Sequence, residues 1–233
     1  MGLLELFFPD LCAACGALCR PAGLCERCRE SLYPTAPCCP VCALPEETPA
    51  PVTCRRCRRA PPPFARVVAP WRYGGELATA VRRFKYGGER GGTQELAHPL
   101  AALLAPALPR DVDLVVPVPL HRSRLRRRGF SQAGLLAVEA RRAAGLAAPV
   151  DHGALERRRA TAEQAGLTRA AREQNVAGAF AVPPDAARRV LGRRVLLVDD
   201  VLTTGATAAA CARALRAAGA AEVVVAALAR AEN

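Results

Sequence analysis

Val195-Leu196-Leu197-Val198-Asp199-Asp200-Val201-Leu202-Thr203-Thr204-Gly205-Ala206-Thr207 is the stretch that decides how this chain folds. Four uninterrupted apolar residues read as a strand buried on both faces. Asp199 and Asp200 emerge at its carboxyl end, the place where open α/β sheets bind ligands. A turn rich in Thr and Gly follows and opens a helix. There, backbone N–H groups and the hydroxyls of Thr203, Thr204 and Thr207 would converge on one phosphate, with Gly205 permitting close approach and the helix N-terminus adding a favourable field. The candidate ligand-binding run is therefore Val201, Leu202, Thr203, Thr204, Gly205, Ala206 and Thr207 behind the acidic pair. Adjacent aspartates facing such a loop repel each other unless hydroxyl groups that donate to them, together with a magnesium ion, occupy the space.

Outward from this stretch, strands alternate with alanine-rich helices. A helix from Ala206 to Ala218 stops at Gly219 and is followed by a last strand at Val223-Val224-Val225. Upstream, Val67 to Tyr73 reads as a strand, and Glu76 to Tyr86 and Thr93 to Leu104 read as helices separated by the pairs Gly87-Gly88 and Gly91-Gly92. Leu114-Val115-Val116 is a short buried strand ended by Pro117 and Pro119, and Ser131 caps a helix running to Ala144. The alternation predicts an α/β fold: a mainly parallel, twisted sheet with helices on both faces.

The cysteines divide the chain. Ten of the 11 lie between Cys12 and Cys57, and the last is Cys211, in a helix as a small buried hydrophobe. Pro61-Pro62-Pro63 is a stiff extended spacer. It sets a boundary between a module at 1–60 and a domain at 61–233. Cys12, Cys15, Cys25 and Cys28 make two C-x2-C knuckles, and Cys39, Cys42, Cys54 and Cys57 repeat the arrangement. Two knuckles complete a closed tetrahedron of thiolates, a structural zinc site, so two zinc ions are expected. Cys19 and Cys38 are the alternative ligands. So few aliphatic residues lie in this segment that metal would supply its folding energy.

The composition, 51% hydrophobic and 23% charged, is that of a folded domain, and the formal charge of +12 favours polyanionic partners. Lys85 is the only lysine among 33 basic residues, the rest being arginine. It marks either a place where a compact ammonium is needed instead of a planar fork, or one lysine that survived by chance. The greasy run Met1 to Leu11 lacks the basic flank and cleavage site of a signal peptide, and no stretch is long enough to span a membrane. The expected location is the cytoplasm, where clustered thiols hold metal. His98, His121 and His152 are isolated and read as structural or exposed.

The string from Val195 to Thr207 resembles the phosphoribosyl pyrophosphate signature of type I phosphoribosyltransferases. Three further strings narrow the resemblance: Phe84-Lys85-Tyr86-Gly87; Val116 to Leu120 leading into Arg124 to Gln132; and Thr161, Gln164, Leu167, Arg172 and Asn175 ending in Gly178-Ala179-Phe180. With two zinc ribbons in front, the pattern is similar to the ComF family of competence-associated, phosphoribosyltransferase-like proteins. It departs at Ser131, where that family usually has Asn. The resemblance implies that Asp199 and Asp200, which also carry the catalytic assignment, hold the ribose hydroxyls and that Thr203 to Thr207 hold the 5′-phosphate.

Arg122, Arg124, Arg126, Arg127 and Arg128 form a basic loop of which one or two members, Arg126 and Arg128 among the candidates, would hold pyrophosphate. Lys85 and Tyr86 complete the candidate site, and Arg169 and Arg172 read as part of a loop that closes over substrate. The implied chemistry is displacement of pyrophosphate from magnesium-bound phosphoribosyl pyrophosphate by an unidentified acceptor. The competing reading is a non-catalytic zinc-ribbon protein of DNA uptake and natural transformation. It would bind single-stranded DNA, work with DNA-uptake proteins and use the phosphate site as a sensor. An aromatic content of 4% leaves few platforms for stacking bases.

Overall fold

The computed structural model describes residues 10–20, 23–46, 52–86, 95–161 and 168–232. Two short helices, α1 (Glu26–Glu30) and α2 (Arg55–Arg59), lie in the cysteine segment and begin directly after Cys25 and Cys54. β1 (Arg66–Val68) and β2 (Trp71–Arg72) lead to α3 (Gly75–Tyr86) and α4 (Ala97–Leu104). β3 (Leu114–Pro117) precedes α5 (Arg122–Arg128) and α6 (Gln132–Ala143). An excursion follows through β4 (Glu156–Arg157), α7 (Arg169–Val176), β5 (Phe180–Ala181) and α8 (Ala187–Val190). The chain then closes with β6 (Arg194–Leu202), α9 (Ala206–Ala217) and β7 (Glu222–Arg230).

The main sheet has the order β1-β7-β6-β3, with β2 also against β7, and every pairing in it is parallel. Alternate residues of the central strands enter different cores, which is why these strands read as unbroken apolar runs. Leu196 and Val198 of β6, with Val224 and Ala226 of β7, pack beneath α3, α4 and α6. Val195 and Leu197, with Val223 and Val225, pack beneath α9. Ala208, Cys211, Ala212 and Leu215 are fully buried, so α9 seats closely on the sheet through small side chains, Cys211 among them. The expected parallel sheet covered on both faces is the one observed.

Two local expectations differ from the structure. The strand expected from Val67 to Tyr73 is broken at Ala69-Pro70, although β1 and β2 keep one register along β7. Pro70 has no N–H for the ladder, and its carbonyl instead accepts from Thr35 N at 2.9 Å. The arginine run is a helix, not a loop. His121 Nδ1 accepts from Ser123 N at 3.3 Å at its start, and Gly129, with φ 77°, ends it. As expected, Ser131 caps the next helix, its Oγ accepting from Gly134 N at 3.1 Å. The glycine pairs expected at 87–88 and 91–92, and Thr93, lie outside the described residues, as do Gln164 and Leu167.

The cysteine segment sits against the sheet domain. Val67 N donates to Val41 O at 2.9 Å, and Arg72 N to Tyr33 O at 2.8 Å. Cys12, Ala13, Leu24 and Cys28 share a core with Leu77, Val81 and Phe84 of α3. Among the described residues no helix is long and apolar enough to cross a membrane.

Candidate functional site

A cavity of about 360 Å³ opens at the carboxyl end of β6, with one wall formed by Asp199, Asp200, Val201, Leu202, Thr203, Gly205, Ala206 and Thr207. Strand β6 delivers the carboxylates, and the turn after Leu202 delivers the start of α9. Gly205 makes that turn possible. Its φ of 81° is left-handed, and a Cβ built there meets nothing within 4 Å, so the demand for glycine is conformational. The first N–H groups of α9 have no helical carbonyl to bond, which gives the turn its attraction for anions. Thr204 is placed differently from its neighbours. It is buried, its Oγ1 accepts from Ala206 N at 3.3 Å, and it does not line the cavity. Its hydroxyl shapes the turn.

The lone lysine comes to the acidic pair from the end of α3. Lys85 Nζ lies 2.9 Å from Asp200 Oδ1. Burial alone would lower the lysine pKa, but the charge and hydrogen bond of Asp200, with help from Asp199, raise it, so Lys85 is firmly cationic. Asp200 Oδ1 also accepts from Val201 N at 2.6 Å, and Asp199 Oδ1 accepts from Asp200 N at 2.9 Å. Burial and the neighbouring charge of Asp200 push Asp199 up to about 7, against the opposing pull of Lys85 and Arg157.

Arginines make the facing wall, and not all are those expected. Arg128 lines the cavity, donating to Gln132 Oε1 and Tyr86 OH at 3.2 Å each, with its guanidinium 5.0 Å from the Tyr86 ring centre. Gln132, almost wholly buried, donates to Lys85 O at 3.4 Å and ties α6 to α3. Arg124 lines the cavity and donates to Thr161 O at 2.9 Å. Arg126 is exposed on the outer side of α5 and does not line it. Arg172 does, and the side chain of Arg169 lies outside the described residues.

Arg157 is the residue that sequence reasoning missed. It lines the cavity, is only 9% exposed, sits 5.2 Å from the Phe180 ring centre and donates to Thr161 Oγ1. Among the described residues its buried Nε has no hydrogen-bond partner. Burial and then the charge of Arg124 lower its pKa. Two cations forced together around an unmet buried donor form a wall that an anion would complete. The available signal was Leu155-Glu156-Arg157: the arginine falls on the same strand face as a buried leucine.

The eight predicted cysteines form two tetrads: Cys12, Cys15, Cys25 and Cys28, and Cys39, Cys42, Cys54 and Cys57, with all sulfurs of each within 4.8 Å of one another. Four thiolates around zinc at about 2.3 Å would lie about 3.8 Å apart. The Sγ atoms of Cys15 and Cys25, and of Cys42 and Cys54, are 3.7 Å apart, so the donor sets fit a structural zinc ion each. Cys25 N donates to Cys12 Sγ at 3.4 Å, and Cys54 N to Cys39 Sγ at 3.3 Å. Burial opposes ionisation of Cys12 and Cys39, but these and further amide donors outweigh it, bringing them down to about 6 and about 7. Cys19 and Cys38 fall outside both sets.

Fold and site define a phosphoribosyl transferase domain carried behind a pair of zinc ribbons. Residues 127–233 match the phosphoribosyl transferase domain family, and residues 3–58 match the double zinc ribbon domain. The chain is 35% identical over 214 residues to DNA utilization protein YhgH of Escherichia coli K12, covering 87% of this chain and 88% of that protein. It is 32% identical over 216 residues to Competence protein F of Haemophilus influenzae, covering 90% and 91%. A solved structure of glutamine phosphoribosylpyrophosphate amidotransferase from B. subtilis, complexed with ADP and GMP, aligns at 26% identity with a TM-score of 0.41. That alignment covers 58% of this chain and 26% of the other. The chain belongs to the ComF family.

Proposed function

We propose that the cavity binds phosphoribosyl pyrophosphate and that the protein acts as a phosphoribosyltransferase in the handling of incoming DNA. The observation that carries this reading is the opposition of two walls: Asp199, Asp200 and the Thr203–Thr207 turn on one side, and Arg124, Arg128 and Arg157 on the other. The turn and the start of α9 would take the 5′-phosphate. Asp199 and Asp200 would accept from the ribose hydroxyls, with Lys85 holding Asp200 in place. The arginines would hold the pyrophosphate through forked hydrogen bonds and stabilise charge as it departs.

In the transfer, the bond from C1 of the ribose to pyrophosphate breaks, its electron pair leaves with the pyrophosphate, and an acceptor nucleophile bonds to C1. Positioning and charge stabilisation are the protein's contribution. The adjacent carboxylates, crowded enough that Asp199 is hard to ionise, suit a magnesium ion, which would offset the ligand's charge. Eight thiols grouped as two candidate zinc sites suit the reducing cytoplasm.

A second reading has its own observation. Arg122, Arg126 and Arg127 are exposed on α5, beside an exposed Leu125. This face suits the phosphates of single-stranded DNA, in keeping with relatives named for DNA utilization and competence. The two readings coexist in one molecule. Labelled phosphoribosyl pyrophosphate incubated with a panel of bases tests transfer: pyrophosphate release that needs both a base and Asp200 supports it. Absence of release with every acceptor, while the ligand still binds, reduces the site to a sensor.

A further inference from the structure

Arg230 is the last residue of β7 and is 1% exposed. Its guanidinium reaches two parts of the molecule that are far apart in sequence. Nε donates to the carbonyl of Cys42, a member of the second cysteine tetrad, at 3.0 Å. Nη1 donates to the carbonyl of Leu202 at 3.0 Å and also to those of Thr203 and Ala231. Leu202 ends β6 and Thr203 begins the turn that leads into α9, and both line the cavity. One buried, rigid fork therefore joins a cysteine knuckle to the candidate phosphate turn.

The energetics make this joint tight. A guanidinium out of water is tolerated only while its donors are met, and a lost acceptor leaves a buried charge exposed to its full desolvation cost. The Cys42 carbonyl can keep its place only while its knuckle is held, and a cation shared by the four sulfurs is what would close that knuckle onto its partner. The first tetrad has a different attachment. Its Cys12 and Ala13 carbonyls accept from the exposed Arg83 on α3, at 3.3 and 3.5 Å.

We propose that Arg230 is a positioning residue that couples metal in the second cysteine tetrad to the order of the Thr203–Thr207 turn, and so to sugar-phosphate binding. The binding half rests on the phosphoribosyl pyrophosphate reading above; the ordering of the turn does not. When the metal leaves, the Cys42 carbonyl withdraws, the guanidinium shifts, and the carbonyls of Leu202 and Thr203 lose the donor that fixes them. The ribbon thereby reports thiol and zinc status to the site.

The test uses the full chain with zinc content measured. Cys54→Ser should cost the second zinc, speed amide exchange at Thr203 to Thr207 about tenfold, and weaken magnesium–phosphoribosyl pyrophosphate binding by a similar factor. Arg230→Lys keeps the charge but has no second arm. It should loosen the same amides while both zinc ions stay bound, and the double variant should be no worse than either single one. Wild-type exchange rates at the turn in Cys54→Ser protein that has lost its zinc would overturn the proposal, as would effects of the two changes that simply multiply. Should Cys54→Ser not fold, Arg230→Lys decides alone: unaltered exchange at the turn refutes the coupling. If the unsubstituted protein binds no phosphoribosyl pyrophosphate, the functional reading fails while the exchange measurement still judges the coupling.

Discussion

Lys85 and Asp200 meet at 2.9 Å, and the spacing turns a compositional oddity into a positional demand. An arginine at 85 would carry the same charge on a wider, planar head. Lys85→Arg should therefore weaken phosphoribosyl pyrophosphate binding about tenfold or more, at little cost to fold, as read by calorimetry and melting temperature; unchanged affinity would mean that charge alone matters. Asp199 gives a prediction in pH. Its pKa rises from an ordinary carboxylate value to about 7 in the fold, so its contribution to stability is full below about pH 4 and is lost as pH rises through about 7. Asp199→Asn lacks that loss. Its melting temperature relative to wild type should climb between pH 5 and pH 8 in the absence of ligand, and a flat difference would show that Asp199 titrates normally. Thr204, read from sequence as a phosphate donor, also accepts from Ala206 N. Thr204→Val keeps the shape but strands that buried N–H, so it should cost about 1–3 kcal/mol of stability in denaturant titrations.

Helix α5 separates two roles that the sequence ran together. Arg124 and Arg128 face the cavity, whereas Arg122, Arg126 and Arg127 are exposed. Replacing Arg122, Arg126 and Arg127 with alanine should flatten the salt dependence of single-stranded DNA binding, with a slope change near the number of phosphates released, and spare sugar-phosphate affinity. An unchanged slope would assign this face to solvent. The sorting was illegible beforehand because helical periodicity, not composition, decides which arginine points where. The sheet was far more legible: Val195 to Val198 had one workable place, the centre of a parallel sheet, and the two carboxylates had to leave at its ligand end. The knuckle spacings likewise named all eight tetrad cysteines. Arg157 stayed hidden because β4 is two residues long and carries no periodic signature of its own.

Across the molecule, residues on either side of the stiff spacer Pro61 to Pro63 share buried surface. Phe64, directly after the prolines, is buried with Val67 and Ala43. Arg230 carried no sign of its joining role, since a single arginine at a strand end is ordinary until the partner carbonyls are in place. Metal removal should accordingly lower stability beyond the cysteine segment: chelation should reduce the melting temperature of the whole chain, in contrast to a separate early transition expected of a tethered module. The central claim is that the cavity at the end of β6 is a phosphoribosyl pyrophosphate site. Calorimetric titration of that ligand with magnesium into zinc-loaded protein tests it most directly. Saturable binding near one ligand per chain, weakened at least tenfold by Asp200→Asn and by Arg157→Met, is the predicted result. No heat of binding in folded, zinc-loaded protein, or binding indifferent to both substitutions, would contradict it.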